Sequence, residues 1–345
     1  MDYKYARRSR NDSTRVDVSV TRSTDLGNDS CRQCAQPRYR KPPEPFSNHN
    51  IHRHMILEIL PTLDTPGMAE KCRRDLEIPR AFAAQLGTSA VSAARSGLYR
   101  DAADHEVNWH ESVARALETR LSIPPDQPLQ QPGPASQPVT SVQISNETTM
   151  VAAQRLIARG LRPLALNFAN GISPGGGFLT GSRAQEECLC RSSALYLTLE
   201  GDPMYDYHKT RPLPDSSNWC IVSPEVPFFR RDDGSPQNAP WTLDVITCAA
   251  PYAPTVGRAQ SRTLLKSRIR RVLTIARSHG YDSLILGAWG CGAFGNDPRD
   301  TALDFREIIE TDFLGAFAHL AFAITDWSPE RRFLAPFHEV FSQPV

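Results

Sequence analysis

The chain has 345 residues, 40% of them hydrophobic, enough for one large domain or two small ones. Lysine and arginine total 39 against 38 acidic side chains, so net charge gives no reason to expect direct DNA binding or an anionic membrane as partner. No apolar run approaches the ~18 residues of a membrane span, and the start "MDYKYARRSRNDSTRVD" has no apolar core of a conventional secretory signal.

Residues 1–65 are rich in Arg, Ser, Asn, Asp and Pro without a sustained apolar period, and are expected to form a flexible tail. Cys31 and Cys34 make a CxxC there with no second pair nearby, which favours plain thiols over a zinc site. The eight cysteines of the whole chain are scattered, which fits reduced thiols and a cytoplasmic or nucleocytoplasmic setting, with specialised export left open. Residues 66–122 read as a helical accessory region, with Pro79 opening a run that Gly97 closes. Six prolines in the sixteen positions from Ile123 to Pro138 predict a loop of polyproline character.

Residues 139–345 alternate regularly. "SVQIS", "RPLALNFA", "NWCIVSP", "TLDVITCAAP", "DSLILGAW" and "HLAFAIT" read as strands. "ETTMVAAQRLIARG", "AQEECLCRSSALYLTLE", "SRTLLKSRIRRVLTIARSHG" and "PRDTALDFREIIETDF" read as helices. In the third helix Leu264, Leu265, Ile269, Val272, Leu273 and Ala276 share a face. This alternation predicts an α/β layered domain with a largely parallel sheet, whose ligands sit beyond the carboxyl ends of the strands.

Two strand ends are glycine-rich. Pro174-Gly175-Gly176-Gly177 follows "LALNFAN", and Gly290-Cys291-Gly292-Ala293-Phe294-Gly295 follows "LILGAW" and leads into the helix start Asp297-Pro298. Small residues let backbone N–H groups converge on an anion. Neither loop fits a P-loop or GxGxxG fingerprint, and each alone is compatible with a tight turn.

After a gap of seven residues, Phe178 to Ala184, come Gln185-Glu186-Glu187. Adjacent helical residues diverge by about 100°, so the two carboxylates are not expected to be buried in one core. Two acids at a helix amino terminus are worth ~0.3–1 kcal/mol each against the macrodipole, and that is the plain structural alternative. The helix that follows is apolar or small, however, which places the acids at the mouth of a buried element. A carboxyl partly desolvated beside a second one holds its proton and can serve as a general acid. Such a site beside a phosphate-type loop suggests glycosidic cleavage of a nucleotide sugar.

"LNFANGISPGGGFLTGSRAQEECLCRSSALY" resembles the GGG…QEE signature of the microbial-type poly(ADP-ribose) glycohydrolases. The similarity extends to "SVQISNETTMVAAQRLIARG", "CIVSPEVPFFRRDDG", "LDVITCAAP" and "LILGAWGCGAFGNDP", and covers roughly residues 70–330. The resemblance implies a macrodomain-like three-layer α/β/α core with a mixed, largely parallel sheet, without cofactor or metal. It implies Glu187 as catalytic acid, and Glu186 and Gln185 as sugar-holding neighbours. Asn170 and Gly175, Gly176 and Gly177 would approach the distal ribose and diphosphate. Gly290, Cys291, Gly292, Ala293 and Phe294 would form the second diphosphate loop, with Phe294 on the ribose.

The expected substrate is poly(ADP-ribose), or ADP-ribosylated protein, acted on by a monomer with no membrane partner. A binding module without turnover and a hydrolase of single ADP-ribosyl groups are the alternatives. One departure stands out: Tyr252 follows "AAP" where the family pattern has Asn.

Overall fold

The computed structural model describes residues 55–130 and 134–343. The stretch through residue 54, with Cys31 and Cys34, and residues 131–133 of the proline-rich segment lie outside the described residues. Strand β1 (Ile56–Ile59) comes first, then helices α1 (Pro66–Leu76) and α2 (Arg80–Ser96). Thr65 caps α1 by accepting the Met68 N–H, and Pro66 opens the helix where a missing donor costs nothing. Gly97 ends α2 in the left-handed region, at φ 72°.

The expected helical stretch is then interrupted. Strands β2 (Leu98–Arg100) and β3 (Glu106–Asn108) pair antiparallel before helix α3 (His110–Thr119). The cause is local: the Asp101 carboxylate accepts the N–H groups of Ala103 and His105, folding the chain into an aspartate-stabilised turn.

The core follows as β4 (Leu121–Ile123), β5 (Val139–Ser145), α4 (Thr149–Ala158) and β6 (Pro163–Ala169). Helices α5 (Gln185–Ser192), α6 (Leu195–Leu199) and α7 (Pro203–Lys209) lead to the long strands β7 (Cys220–Arg230) and β8 (Pro236–Ala249). The chain closes with α8 (Ala253–Val256), α9 (Arg258–Ser278), β9 (Ser283–Leu286), α10 (Pro298–Thr311), β10 (His319–Ala323) and α11 (Leu334–Ser342). The single helix expected over residues 184–200 is two. Ser193 is extended, bridges Phe228 of β7, and donates its hydroxyl to the Leu189 carbonyl, which breaks the helical ladder.

Eight strands form one sheet in the order β1-β5-β10-β9-β6-β8-β7-β4. Pairings from β1 through β8 are parallel, and β7 and β4 close the edge antiparallel. The sheet is therefore mixed and largely parallel, as expected. Successive residues of β6 supply opposite cores. Leu164 and Leu166 pack with Ile269 of α9, Phe305 of α10 and Phe337 of α11; Ala165 packs with Leu156 of α4, Leu189 of α5 and Met204 of α7. That alternation makes the α/β/α layering.

Helix α9 buries the face read from its sequence, with Leu264 half-buried at its margin. Arg268 shares that face: its guanidinium donates to the carbonyls of Ala249 and Asp215 and fixes the end of β8. Among the described residues no helix is long and apolar enough to cross a membrane.

Candidate active site

Strand β6 lies mid-sheet between β9 and β8, and the connections leaving it diverge there, so a crevice opens at its carboxyl end. Asn170 begins the loop by accepting the N–H groups of Ile172 and Ser173 on its side-chain oxygen, each at 3.0 Å. Gly175 and Gly176 take φ values of 69° and 59°. A Cβ on Gly176 would lie 2.5 Å from Glu187 Oε1 and 3.1 Å from Glu186 Oε2, so glycine is what lets the loop close over both acids. A short 3-10 turn, Phe178–Thr180, follows, and the Gly177 N–H donates to Glu187 Oε1 at 3.0 Å.

Both carboxylates are buried, Glu186 at 3% exposure and Glu187 at 9%. This corrects the expectation from helical geometry that both could not be. The helix turn does separate them, but the glycine loop folds across its amino terminus and supplies each with its own donor. Glu186 accepts the Asn170 N–H at 2.7 Å and the Asn167 amide at 3.3 Å. Burial pushes its pKa up to about 8 against these hydrogen bonds, and the neighbouring Glu187 charge adds to the rise. Glu187 uses Oε1 for Gly177, whereas its Oε2 is buried with no hydrogen-bond partner among the described residues.

Gln185 fastens this helix end to the sheet. Its oxygen accepts the Phe168 N–H at 2.9 Å, and its amide donates to Leu166 O at 2.8 Å and Thr149 Oγ1 at 3.1 Å.

The second glycine loop leaves β9 beside it. Gly290, at φ 76°, lies against Asn296, whose amide donates to the carbonyls of Pro251 and Gly290. The Cys291 thiol points inward to Thr301, so what this residue offers the crevice is backbone. The N–H groups of Gly292, Ala293 and Phe294 have no protein acceptor among the described residues. Phe294 is half-buried and meets the exposed Tyr252 edge-on, with ring centroids 5.9 Å apart.

A cleft of about 500 Å³ runs across the ends of β5, β10, β9 and β6. Phe168, Gln185, Gly292, Ile324, Asp326 and Phe333 are among the residues that line it. Asp326 is fixed there by accepting N–H groups from Ser328, Phe333 and Leu334. Among the described residues no group of three or more His, Cys, Asp or Glu is placed to hold a metal ion.

Residues 88–231 match the family model of the microbial-type PARG catalytic domain. Among solved structures, poly(ADP-ribose) glycohydrolase from Thermomonospora curvata is 34% identical over 76% of this chain and 100% of its own, with a TM-score of 0.69. The enzyme from Deinococcus radiodurans in complex with ADP-ribose is 34% identical over 68% of this chain and 98% of its own, with a TM-score of 0.61. No curated protein matches. The chain belongs to the microbial-type poly(ADP-ribose) glycohydrolase family.

The chain is therefore a glycosidase of this family. Of the residues singled out from the sequence, Gln185 and Gly292 line the cleft, whereas Glu186 and Glu187 lie beneath the GGG loop and are not among the lining residues. Asn167 and its partner Thr247, 3.2 Å apart across β6 and β8, were not read from the sequence. The available signal was an asparagine inside the otherwise apolar strand "LALNFA". His208 also went unread. Its ring donates Nδ1–H to Gly171 O at 2.9 Å and accepts from Ser217 on Nε2, bracing the loop beside Asn170. Burial lowers its pKa to about 4, so the brace is a neutral imidazole.

Proposed function

We propose that this member of the family hydrolyses the ribose–ribose O-glycosidic bonds of poly(ADP-ribose), with Glu187 as general acid. The observation that carries this reading is the unpartnered, buried Oε2 of Glu187 beside a second carboxyl that retains a proton at neutral pH. A buried acceptor without a partner costs about 1–3 kcal/mol, so its persistence in the same helix turn as the cleft-lining Gln185 and Cys188 fits an atom that meets substrate.

In this reading Glu187 gives its proton to the ribose oxygen that leaves as the bond to the distal anomeric carbon breaks. Positive charge develops at that carbon, and the buried carboxylate beside it stabilises the oxocarbenium-like centre. Water adds to the carbon and returns a proton to Glu187. The products are ADP-ribose with a free anomeric hydroxyl and a shortened chain with a free ribose hydroxyl. Glu186, carrying its proton, donates to a ribose hydroxyl, so that only one full charge stands in the site once Glu187 has given up its proton.

The rest of the cleft suits the ADP-ribose unit. The unpaired N–H groups of Gly292, Ala293 and Phe294 suit diphosphate oxygens. Phe168, Ile324 and Phe333 offer apolar walls for the adenosine end, with Asp326 as a polar group among them. Incubation of the protein with purified poly(ADP-ribose), followed by chromatography of the products, tests the reading. Release of free ADP-ribose is expected, and an intact polymer after prolonged incubation would contradict it.

A further inference from the structure

Helix α2 carries none of the loop residues described above, and its amino-terminal half precedes the segment matched by the family model. Gly87 lies in its interior, although glycine is among the poorest helix formers. The reason is close approach: an added Cβ would lie 2.7 Å from the Phe178 carbonyl oxygen and 3.1 Å from the Phe178 ring. The helix thus rests directly on the backbone of the 3-10 turn that follows Gly177. The turn is pinned once more, and the segment that follows it is tied to the chain just before α2. Arg80 Nε donates to Thr180 O, and Arg183 Nη1 donates to Ile78 O, both at 2.9 Å.

Helix α2 is itself held from behind. Arg230 of β7 donates to Leu86 O at 2.8 Å and Ser89 Oγ at 3.0 Å, and also reaches Arg191 O in the last turn of α5 at 3.2 Å. One guanidinium therefore ties α2 to the helix that bears both acids.

From this geometry we infer that α2 is a brace for the catalytic acid, and that Gly87 is a positioning residue acting through Phe178 and Gly177. Gly87 fixes how near α2 approaches Phe178. Phe178 fixes the adjoining Gly177 N–H, which holds Glu187 Oε1 and leaves Oε2 facing the substrate. The inference rests on Glu187 as the acid. Because the neighbour of the missing Cβ is backbone rather than a flexible side-chain end, a methyl group at Gly87 must displace the turn or the helix.

The test uses the full chain carrying Gly87→Ala, with Thr88→Ala on the exposed face of the same helix as control. Displacement of a catalytic group by a fraction of an ångström to 1 Å lowers turnover by about 10–100-fold. Gly87→Ala is therefore expected to lose kcat on poly(ADP-ribose) by that factor, with KM and the Kd for ADP-ribose within about twofold of wild type. Thr88→Ala keeps wild-type kcat.

Should Gly87→Ala fail to fold, the exposed Arg80 gives a milder probe. Arg80→Ala is expected to lower kcat by about 3–10-fold at unchanged Kd, and Arg80→Lys to recover part of it. Wild-type kcat in Gly87→Ala, or in Arg80→Ala where Gly87→Ala does not fold, overturns the inference. So does a loss of kcat matched by an equal loss of ADP-ribose affinity. If Glu187→Gln itself turned over normally, the acid assignment would fail first. An inactive Glu187→Gln beside fully active Gly87→Ala would refute the brace alone.

Discussion

Glu186 and Glu187 are neighbours in sequence, yet their oxygens meet different partners. Glu186 is enclosed by the Asn170 N–H and the Asn167 amide, and holds its proton up to about pH 8. In the unfolded chain an ordinary glutamate loses that proton near pH 4.5. The native state therefore binds the extra proton between these values, and stability falls as pH rises through the window. The buried histidines His208 and His319, lowered to about 4, act below pH 6.5 and with the opposite sign, so they do not mask the fall that Glu186 contributes between 6.5 and 8. Urea unfolding across that range is expected to show stability falling with pH, by up to about 1.4 kcal/mol per unit. Glu186→Gln should flatten the slope; an equally steep slope in the variant would place the proton elsewhere. The pair itself was legible in the sequence. Its burial was not, because it depends on a glycine loop closing across the helix end, and helical periodicity carries no term for that.

At the scale of elements, the short helix α5 has no side-chain cap at its start, since Ala184 cannot provide one. Gln185 takes over the anchoring by tying the first turn to β6 and α4. Gln185→Leu keeps the volume and removes these bonds, and is expected to cost ~1–3 kcal/mol of stability and to lower turnover. A variant with wild-type unfolding midpoint and activity would show that the helix start is held by packing alone. Strands β5, β6, β8, β9 and β10 and helices α4, α9 and α10 were readable because each has a clear apolar period and recognisable ends. Asp297 before Pro298 is one such end, accepting the N–H groups of Arg299 and Asp300. The break at Ser193 was not readable, because it follows from a bridge to Phe228, far along the chain. The β2–β3 turn was missed for a more local reason: the Asp101 side chain competes with the helix for backbone donors.

Across the whole molecule, the alternation of strands and helices predicted the layered sheet, and the family resemblance placed the substrate. The cleft was harder to read. Its walls come from segments well apart in sequence, with Phe168 after the middle of β6 and Asp326 and Phe333 beyond β10. Single-segment periodicity does not bring them together; the strand order does. The central claim is that this assembly binds ADP-ribose through its cleft and cleaves through one atom, Glu187 Oε2. Glu187→Gln keeps the shape and removes the acid, and general acid catalysis contributes about 10²–10⁴-fold. The most direct measurement is the rate of ADP-ribose release from poly(ADP-ribose) by this variant, alongside its ADP-ribose affinity by calorimetry. The account predicts a rate lower by at least about 100-fold with affinity retained; hydrolysis at the wild-type rate would contradict it.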